Sequence, residues 1–135
     1  MKAMPRMDKV MTPMPHTVGP TIALKRAYEL MKENNIRHLP VLEAGKLVGI
    51  LTDRDVKLAS SFKSNAELMV GDVMTADPFS TTPHALLGDV VEEMAEHKYG
   101  SVIVRQENDK VVGIFTAVDA LRLLAEMARE HYKPA

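Results

Sequence analysis

Two segments of the 135-residue chain carry the same pattern, Gly-x-x-Thr-x-x-Asp, whose side chains could hold a nucleoside phosphate. A Thr hydroxyl adds a hydrogen-bond donor for phosphate, and an ionised Asp offers two acceptor oxygens that suit a ribose diol. A glycine lets a ligand or a neighbouring strand approach the backbone closely. The residues are Gly49, Thr52 and Asp55 in the first segment, and Gly113, Thr116 and Asp119 in the second.

A purely structural interpretation explains part of the same pattern. Thr at the end of a strand is a good N-cap for a following helix, and Asp three residues later stabilises the first helical turn through the helix dipole. This interpretation explains the glycine less well. It also does not exclude a ligand, because a helix N-terminus offers free N–H groups and positive potential to phosphate. Both interpretations stay open at the level of the sequence.

The pattern is part of a longer internal repeat. Val10-Met11-Thr12 recurs as Val73-Met74-Thr75, and Gly49-Ile50-Leu51-Thr52 recurs as Gly113-Ile114-Phe115-Thr116. Such a repeat predicts two copies of one supersecondary unit. A site formed by one copy can therefore have a counterpart in the other.

The apolar periodicity predicts the order strand–helix–strand–strand–helix for each copy. In the first copy, we expect a helix capped by Thr21 and ended by Asn34-Asn35, with its apolar stripe facing the core. The other elements of that copy are expected at residues 16–18, 39–42, 47–51 and 53–60.

The second copy predicts the same order. We expect Pro83 or His84 to open its first helix, and strands at 79–81, 101–104 and 111–115. A final helix is expected from about residue 117 to 132. Its predicted inward-facing residues are Val118, Leu121, Leu124 and Ala128.

These elements divide the chain into four parts: an N-terminal arm (1–7), a first unit (8–60), a polar linker (61–70) and a second unit (71–131). Each unit is small for independent stability, so we expect the two to pack on each other. We expect Met1, Met4 and Met7 in the arm to be disordered.

Composition narrows the class of protein. Apolar residues make up 46% of the chain and charged residues 26%, as in an ordinary soluble globular protein. The chain has no Cys, which excludes disulfides and Cys metal sites and fits a cytoplasmic location. No apolar run approaches the ~18 residues of a membrane span, so we expect no membrane contact.

Charge is distributed unevenly between the copies. Residues 1–63 hold 11 Lys and Arg against 6 Asp and Glu, a net charge of +5, whereas residues 64–135 hold 6 against 12, a net charge of −6. Drift between diverged copies would explain this. Alternatively, the basic copy helps to hold an anion, or opposite copies face each other in a dimer.

The Val-Met-Thr openings, the segment Arg37-His38-Leu39-Pro40-Val41 and the two Gly-x-x-Thr-x-x-Asp endings together resemble a tandem pair of CBS domains, a Bateman module. The resemblance covers about residues 8–130. It implies an α/β fold in which two β-α-β-β-α units pack sheet to sheet about a pseudo-two-fold axis, with two clefts between them. It also implies adenosyl ligands, such as AMP, ADP, ATP, S-adenosylmethionine or NAD, that act as regulatory signals.

The resemblance further implies which residues form each cleft, because a family cleft usually joins the Thr and Asp of one unit to the strand entries of the other. The first cleft would consist of Thr17, Val18, Arg37, His38, Pro40, Thr116 and Asp119. The second would consist of Thr52, Asp55, Thr81, Thr82, Ser101 and Ile103.

The two implied clefts are unequally equipped. Arg37 and His38 match the family's basic pair before the second strand and could meet a phosphate. In the second copy Gly100 and Ser101 stand at these places, and Ile103 replaces the proline. We therefore expect the first cleft to bind better.

These features predict a non-catalytic module that binds an adenine nucleotide as a regulatory ligand, with no catalytic cofactor and no metal. The alternative is a structural or protein-interaction module with empty clefts. No nucleophile–base pair or metal-ligand spacing supports an enzyme, and few aromatic residues make nucleic acid an unlikely partner. With no fused output domain, we expect the signal to pass through a separate effector protein or a homodimer. The charge split favours an antiparallel dimer.

Overall fold

The structure is a computed structural model that describes residues 2–62 and 68–135. Met1 and the middle of the predicted linker, residues 63–67, lie outside the described residues. No helix in the described ranges is both long enough and apolar enough to span a bilayer.

Short helices and strands alternate along the described chain. In chain order they are α1 (Met7–Val10), β1 (Thr12–Pro13), α2 (Leu24–Glu33), β2 (His38–Glu43), β3 (Lys46–Thr52), α3 (Asp53–Phe62), α4 (Val70–Val73), β4 (Thr75–Ala76), β5 (Ser80–Thr81), α5 (Leu87–His97), β6 (Ser101–Arg105), β7 (Val111–Thr116) and α6 (Ala117–His131). The α/β class is therefore confirmed, with one hairpin (β2–β3 or β6–β7) in each unit.

The opening segment of each unit completes the sheet of the other unit. β1 pairs antiparallel with β7, and β4 pairs antiparallel with β3. The resulting sheets have the strand orders β1-β7-β6-β5 and β2-β3-β4. Where the second unit has β5 parallel to β6, the first unit has only a parallel bridge between Val18 and Val41. The two units therefore exchange their opening strands, β1 and β4.

This exchange explains why the first long helix of each unit, α2 or α5, starts later than predicted. Leu24 donates its N–H to the carbonyl of Leu68 at 2.9 Å, and Leu87 donates to Pro5 at 2.9 Å. The residues before each helix are thus held extended against the exchanged segment. Thr21 does not cap α2, whose N-cap is Ala23 without a side-chain hydrogen bond, so that prediction is wrong.

The exchanged segments also fill the cores. α1 places Met7, which is fully buried, among Leu87, Val90 and Met94 of the second unit. The expectation that Met7 is disordered is therefore wrong. A four-residue helix that buries one side chain shows no periodicity, which is why the sequence did not reveal it.

The glycine of each repeated motif makes room for a methionine from the exchanged segment. A Cβ built on Gly49 would lie 2.6 Å from the Met74 sulfur and 2.9 Å from the Thr75 carbonyl oxygen. A Cβ built on Gly113 would overlap the side chain of Met11. Real Cβ atoms do not approach so closely, so a side chain at either position would force Met74 or Met11 to shift.

The two sheets meet through a small apolar cluster. Ile50 of β3 packs with Ile103 of β6 and Ile114 of β7, and Leu47 and Val111 flank them. Ile50 and Ile114 occupy equivalent positions in the repeat, so this contact lies where a pseudo-two-fold axis relates the units. Packing of the units sheet to sheet is therefore confirmed.

α6 presents a different face to the core from the one predicted. Ala120 and Leu123 pack against the second core. Both candidate stripes are apolar and recur at helical spacing, so periodicity could not choose between them. The face of α6 that packs on the core is set by the direction in which the chain leaves β7. The residues wrongly predicted to face inward are exposed, and they are Val118, Leu121, Leu124 and Ala128.

Replacing Gly49 or Gly113 with Ala should destabilise the protein by about 1–3 kcal/mol, the usual cost of overpacking. The new methyl group would displace Met74 or Met11 and loosen the exchanged strand. Gly19→Ala is the matched control, because a Cβ there lies no closer than 3.7 Å to another atom, the Leu42 carbonyl oxygen. Urea denaturation measures the free energy of unfolding. Equal values for all three variants would contradict this explanation of the glycines.

Candidate functional site

The repeated Thr and Asp form a capping box at the start of α3 and of α6. Asp55 Oδ2 accepts the Thr52 N–H at 3.0 Å, and Thr52 Oγ1 accepts the Asp55 N–H at 3.1 Å. The corresponding distances for Thr116 and Asp119 are 2.9 Å and 3.2 Å. The structural interpretation of the motif is thus realised in both units. Each box leaves the Thr hydroxyl hydrogen and the second Asp oxygen outside the capping hydrogen bonds. In Asp119 this second oxygen, Oδ1, lies 3.7 Å from Nη1 of the exposed Arg122, so a ligand at Asp119 would also meet this guanidinium.

His38 links the first unit to the second at this end of the sheets. It is the first residue of β2 and lies opposite Thr52 in the hairpin. Its Nε2 lies 3.9 Å from the position of a Cβ built on Gly100, and Asp119 contributes to its electrostatic environment. The structure therefore places His38 beside Gly100 of the second unit and within electrostatic range of Asp119.

Burial lowers the pKa of His38 below its ordinary value. The carboxylates of Asp53, Asp119 and Asp55 raise the pKa, but they do not outweigh the loss of hydration, and Arg37 lowers it further. At neutral pH, His38 is therefore a neutral hydrogen-bonding group. Of the Arg37-His38 pair identified in the sequence, only Arg37 is therefore charged.

Arg37 opens onto a basic groove lined by Asp53, Arg54, Lys57 and Leu58. This groove, called the basic groove below, has a volume of about 660 Å³. Asp53 Oδ2 lies 3.6 Å from Lys57 Nζ and 4.0 Å from Arg37 Nε. Sequence analysis named Arg37 for the first cleft. It missed Asp53 and Lys57, although their helical spacing after the strand was a usable signal.

The remaining residues predicted for the first cleft differ in accessibility. Thr17 is exposed, whereas Val18 and Pro40 are buried. Val18 donates its N–H to the Pro40 carbonyl at 3.1 Å and packs in the first core. These two buried side chains serve packing, and they lie beneath the surface of the cleft.

The residues predicted for the second cleft are also divided. Thr81 is half-buried in β5, and Thr82 is exposed. Ser101 lies opposite Thr116 in the β6–β7 hairpin, and Ile103 is fully buried between the sheets. No cation stands at the entry of β6, where Gly100 replaces Arg37. The entry of β6 therefore offers polar groups that suit a sugar, but no equivalent of the Arg37 cation for a phosphate.

Comparison with known proteins identifies the class. The model of the CBS domain matches residues 7–61 and again residues 70–126. The chain is 38% identical over 103 residues to inosine-5'-monophosphate dehydrogenase of Korarchaeum cryptofilum, covering 76% of this chain and 21% of that enzyme. It is 34% identical over 110 residues to the CBS domain-containing protein YhcV of Bacillus subtilis, covering 81% of this chain and 78% of YhcV.

Solved structures show the same fold with ligands. The CBS domain pair of protein MJ0100, in complex with 5'-methylthioadenosine and S-adenosyl-L-methionine, superposes with a TM-score of 0.85 at 25% identity, covering 93% of this chain and 99% of that chain. CBSX2 of Arabidopsis thaliana in complex with AMP superposes with a TM-score of 0.77 at 27% identity, covering 92% and 98%. The chain belongs to the CBS-domain family and is a tandem pair of CBS domains.

The described residues around the site offer groups that can bind a ligand. Residues 2–62 and 68–135 contain no cluster of three or more His, Asp or Glu side chains arranged to hold a metal ion. Carboxylates, hydroxyls, one neutral imidazole and several cations surround the site. These groups suit recognition of a sugar and an anion.

The lowered pKa of His38 makes stability depend on pH in a defined direction. Between the lowered folded pKa and the ordinary value of about 6.5, the unfolded chain binds more protons than the folded chain, so stability rises with pH. We expect the contribution of His38 to be complete above about pH 6.5 and to diminish as the pH falls below that value.

His38→Gln tests this by removing the titrating group while keeping a polar side chain. Urea denaturation at about pH 7.5 and about pH 5.5, on either side of the ordinary His pKa, should show a larger loss of stability for the wild type than for the variant. A loss of the same size in both proteins would contradict the lowered pKa.

Proposed function

We propose that this chain binds an adenine nucleotide as a regulatory ligand in the first cleft, between Asp119 and the Arg37-His38 pair. The observation that carries the proposal is the approach of His38, from the first unit, to the capped N-terminus of α6 in the second unit. The AMP complex of CBSX2 and the S-adenosyl-L-methionine complex of MJ0100 support this ligand class.

Each group has a role that follows from its chemistry. The second oxygen of Asp119 accepts hydrogen bonds from the ribose hydroxyls, because the capping box holds the carboxylate in one orientation. The neutral His38 hydrogen-bonds the ligand without charge. Arg37, which is 75% exposed, neutralises phosphate.

Regulation follows from the position of the cleft. A ligand that contacts the first unit through Arg37 and the second through Asp119 binds best when the two units hold one relative position. It therefore shifts the population toward that position, by as much as its affinity differs between the states. No covalent chemistry is needed for such a signal.

A second function, a structural module with empty clefts, is favoured by a specific observation. The capping boxes by themselves account for Thr52, Asp55, Thr116 and Asp119. Binding experiments separate the two functions, because a structural module would show no saturable response to AMP, ADP, ATP, S-adenosylmethionine or NAD.

Asp119→Asn should weaken adenine nucleotide binding by about 10- to 100-fold, the cost of removing a hydrogen bond to a charged group. The amide oxygen of Asn can still accept the Thr116 N–H, so the fold should be retained. Isothermal titration calorimetry with AMP, ADP and ATP measures the affinity.

Asp55→Asn is the matched control, because Asp55 forms an equivalent capping box in the other unit. It should leave the affinity within about twofold of the wild type, the error of additivity for distant sites. Equal losses in both variants would refute the preference for the first cleft. If the wild type binds none of the five ligands, the structural module is the better description.

We further propose a homodimer that forms through the second unit. An apolar groove of about 660 Å³ runs between α5 and α6, lined chiefly by Val91, Ala95, Leu121, Leu124 and Met127. Leu121 and Leu124 are 64% and 61% exposed. Their equivalents in α3 are Lys57 and Ser60. In an antiparallel dimer this groove would face the polar side chains of α3. Contact between two second units therefore buries more apolar surface.

Contact between two second units gives a parallel dimer, which differs from the antiparallel one favoured by the total charge of the units.

Leu121→Glu should convert the dimer into a monomer, because it places a carboxylate within the apolar contact. Lys57→Glu, the equivalent change in the first unit, should leave the parallel dimer intact. Sedimentation equilibrium over a range of concentrations measures the molar mass. Dissociation of the Lys57→Glu protein alone would support the antiparallel dimer instead.

A further inference from the structure

The basic groove beside α3 and the apolar groove beside α6 are the same feature of the fold with opposite chemistry. The backbone is equivalent, because Asp53 donates its N–H to the Arg37 carbonyl at 3.0 Å and Ala117 donates to Gly100 at 2.9 Å. The side chains have diverged. Arg37, Asp53, Arg54 and Lys57 line the first groove. The equivalent positions of the second unit hold Gly100, Ala117, Val118 and Leu121, and all of these except Val118 line the apolar groove.

The basic groove carries excess positive charge that is already arranged. It holds three cations and a single carboxylate, that of Asp53. One oxygen of Asp53, Oδ2, pairs with both Lys57 and Arg37, at 3.6 Å and 4.0 Å. The remaining net charge suits an anion that bears more than one negative charge. Because Lys57 and Arg37 are 66% and 75% exposed, such an anion can reach them.

The basic groove adjoins the first cleft. Arg37 lines the groove, and the next residue, His38, lies at the cleft. Asp53 contributes to the environment of His38 as well as to the ion pairs in the groove. A ligand anchored at Asp119 and passing His38 would therefore meet Arg37 first and then Arg54 and Lys57.

We infer that the basic groove takes the phosphate chain of the ligand, so the chain is selective for nucleoside di- and triphosphates. This inference rests on the proposed function for the position of the nucleoside. A cationic adenosyl compound such as S-adenosylmethionine would place its positive groups against three cations and is disfavoured. Adenosine and AMP can fill the cleft without reaching Arg54 and Lys57.

The double variant Arg54→Gln, Lys57→Gln tests the inference by calorimetry with ATP, ADP, AMP and adenosine. ATP should bind the wild type at least about tenfold more tightly than adenosine, as expected for charge-assisted contacts. The double variant should lose most of this advantage while its affinity for adenosine changes little. Arg26→Gln is the charge control, because Arg26 is an exposed cation on α2 that pairs with Glu29 and Glu33. It should bind ATP as the wild type does.

Inorganic triphosphate separates this inference from the proposed function. If triphosphate binds the wild type and not the double variant, the groove is an anion site, whether or not adenosine binds. If adenosine binds but ATP has no advantage over it, the proposed function stands and the phosphate inference is overturned. If neither adenosine compounds nor triphosphate bind, both are overturned.

Discussion

The contact of a methionine with a glycine across the two units is the constraint on which the rest of the structure depends. Met74 lies on Gly49 and Met11 lies on Gly113, so the opening segment of each unit docks on the last strand of the other. Neither sheet is complete without its partner's segment, and Met7 and Val70 extend the exchange into both cores. The repeated Val-Met-Thr and Gly-x-x-Thr sequences are therefore two halves of one contact, and the units must fold together.

This exchange also shapes the proposed binding site. It holds the two hairpins so that the entry of β2 approaches the start of α6, which places His38 near both Gly100 and Asp119. The same proximity buries the imidazole and keeps it neutral despite three neighbouring carboxylates. The proposed cleft thus combines a fixed carboxylate, an uncharged hydrogen-bonding group and the exposed cation of Arg37. A fold that did not exchange its first strands would separate these groups.

Divergence of the two units then gives equivalent grooves different chemistry. Equivalent backbone positions carry Arg54 and Lys57 in one unit, and Val118 and Leu121 in the other. One groove is suited to an anion and the other to an apolar partner surface. The three cations of the basic groove form part of the positive excess of the first half.

The sequence by itself determined the family, the two long strands and the helices of each unit, and the residues Thr52, Asp55, Thr116 and Asp119 at the helix starts. These follow from local patterns, since periodicity, caps and repeats involve residues a few positions apart. Only the tertiary structure decided the exchange of the opening segments, the burial of Met7, the exposed face of α6 and the neutral state of His38. Each of these depends on contacts between residues from distant parts of the chain, such as Met11 with Gly113. No local pattern encodes which of two apolar helix faces, or which strand edge, such a contact will cover.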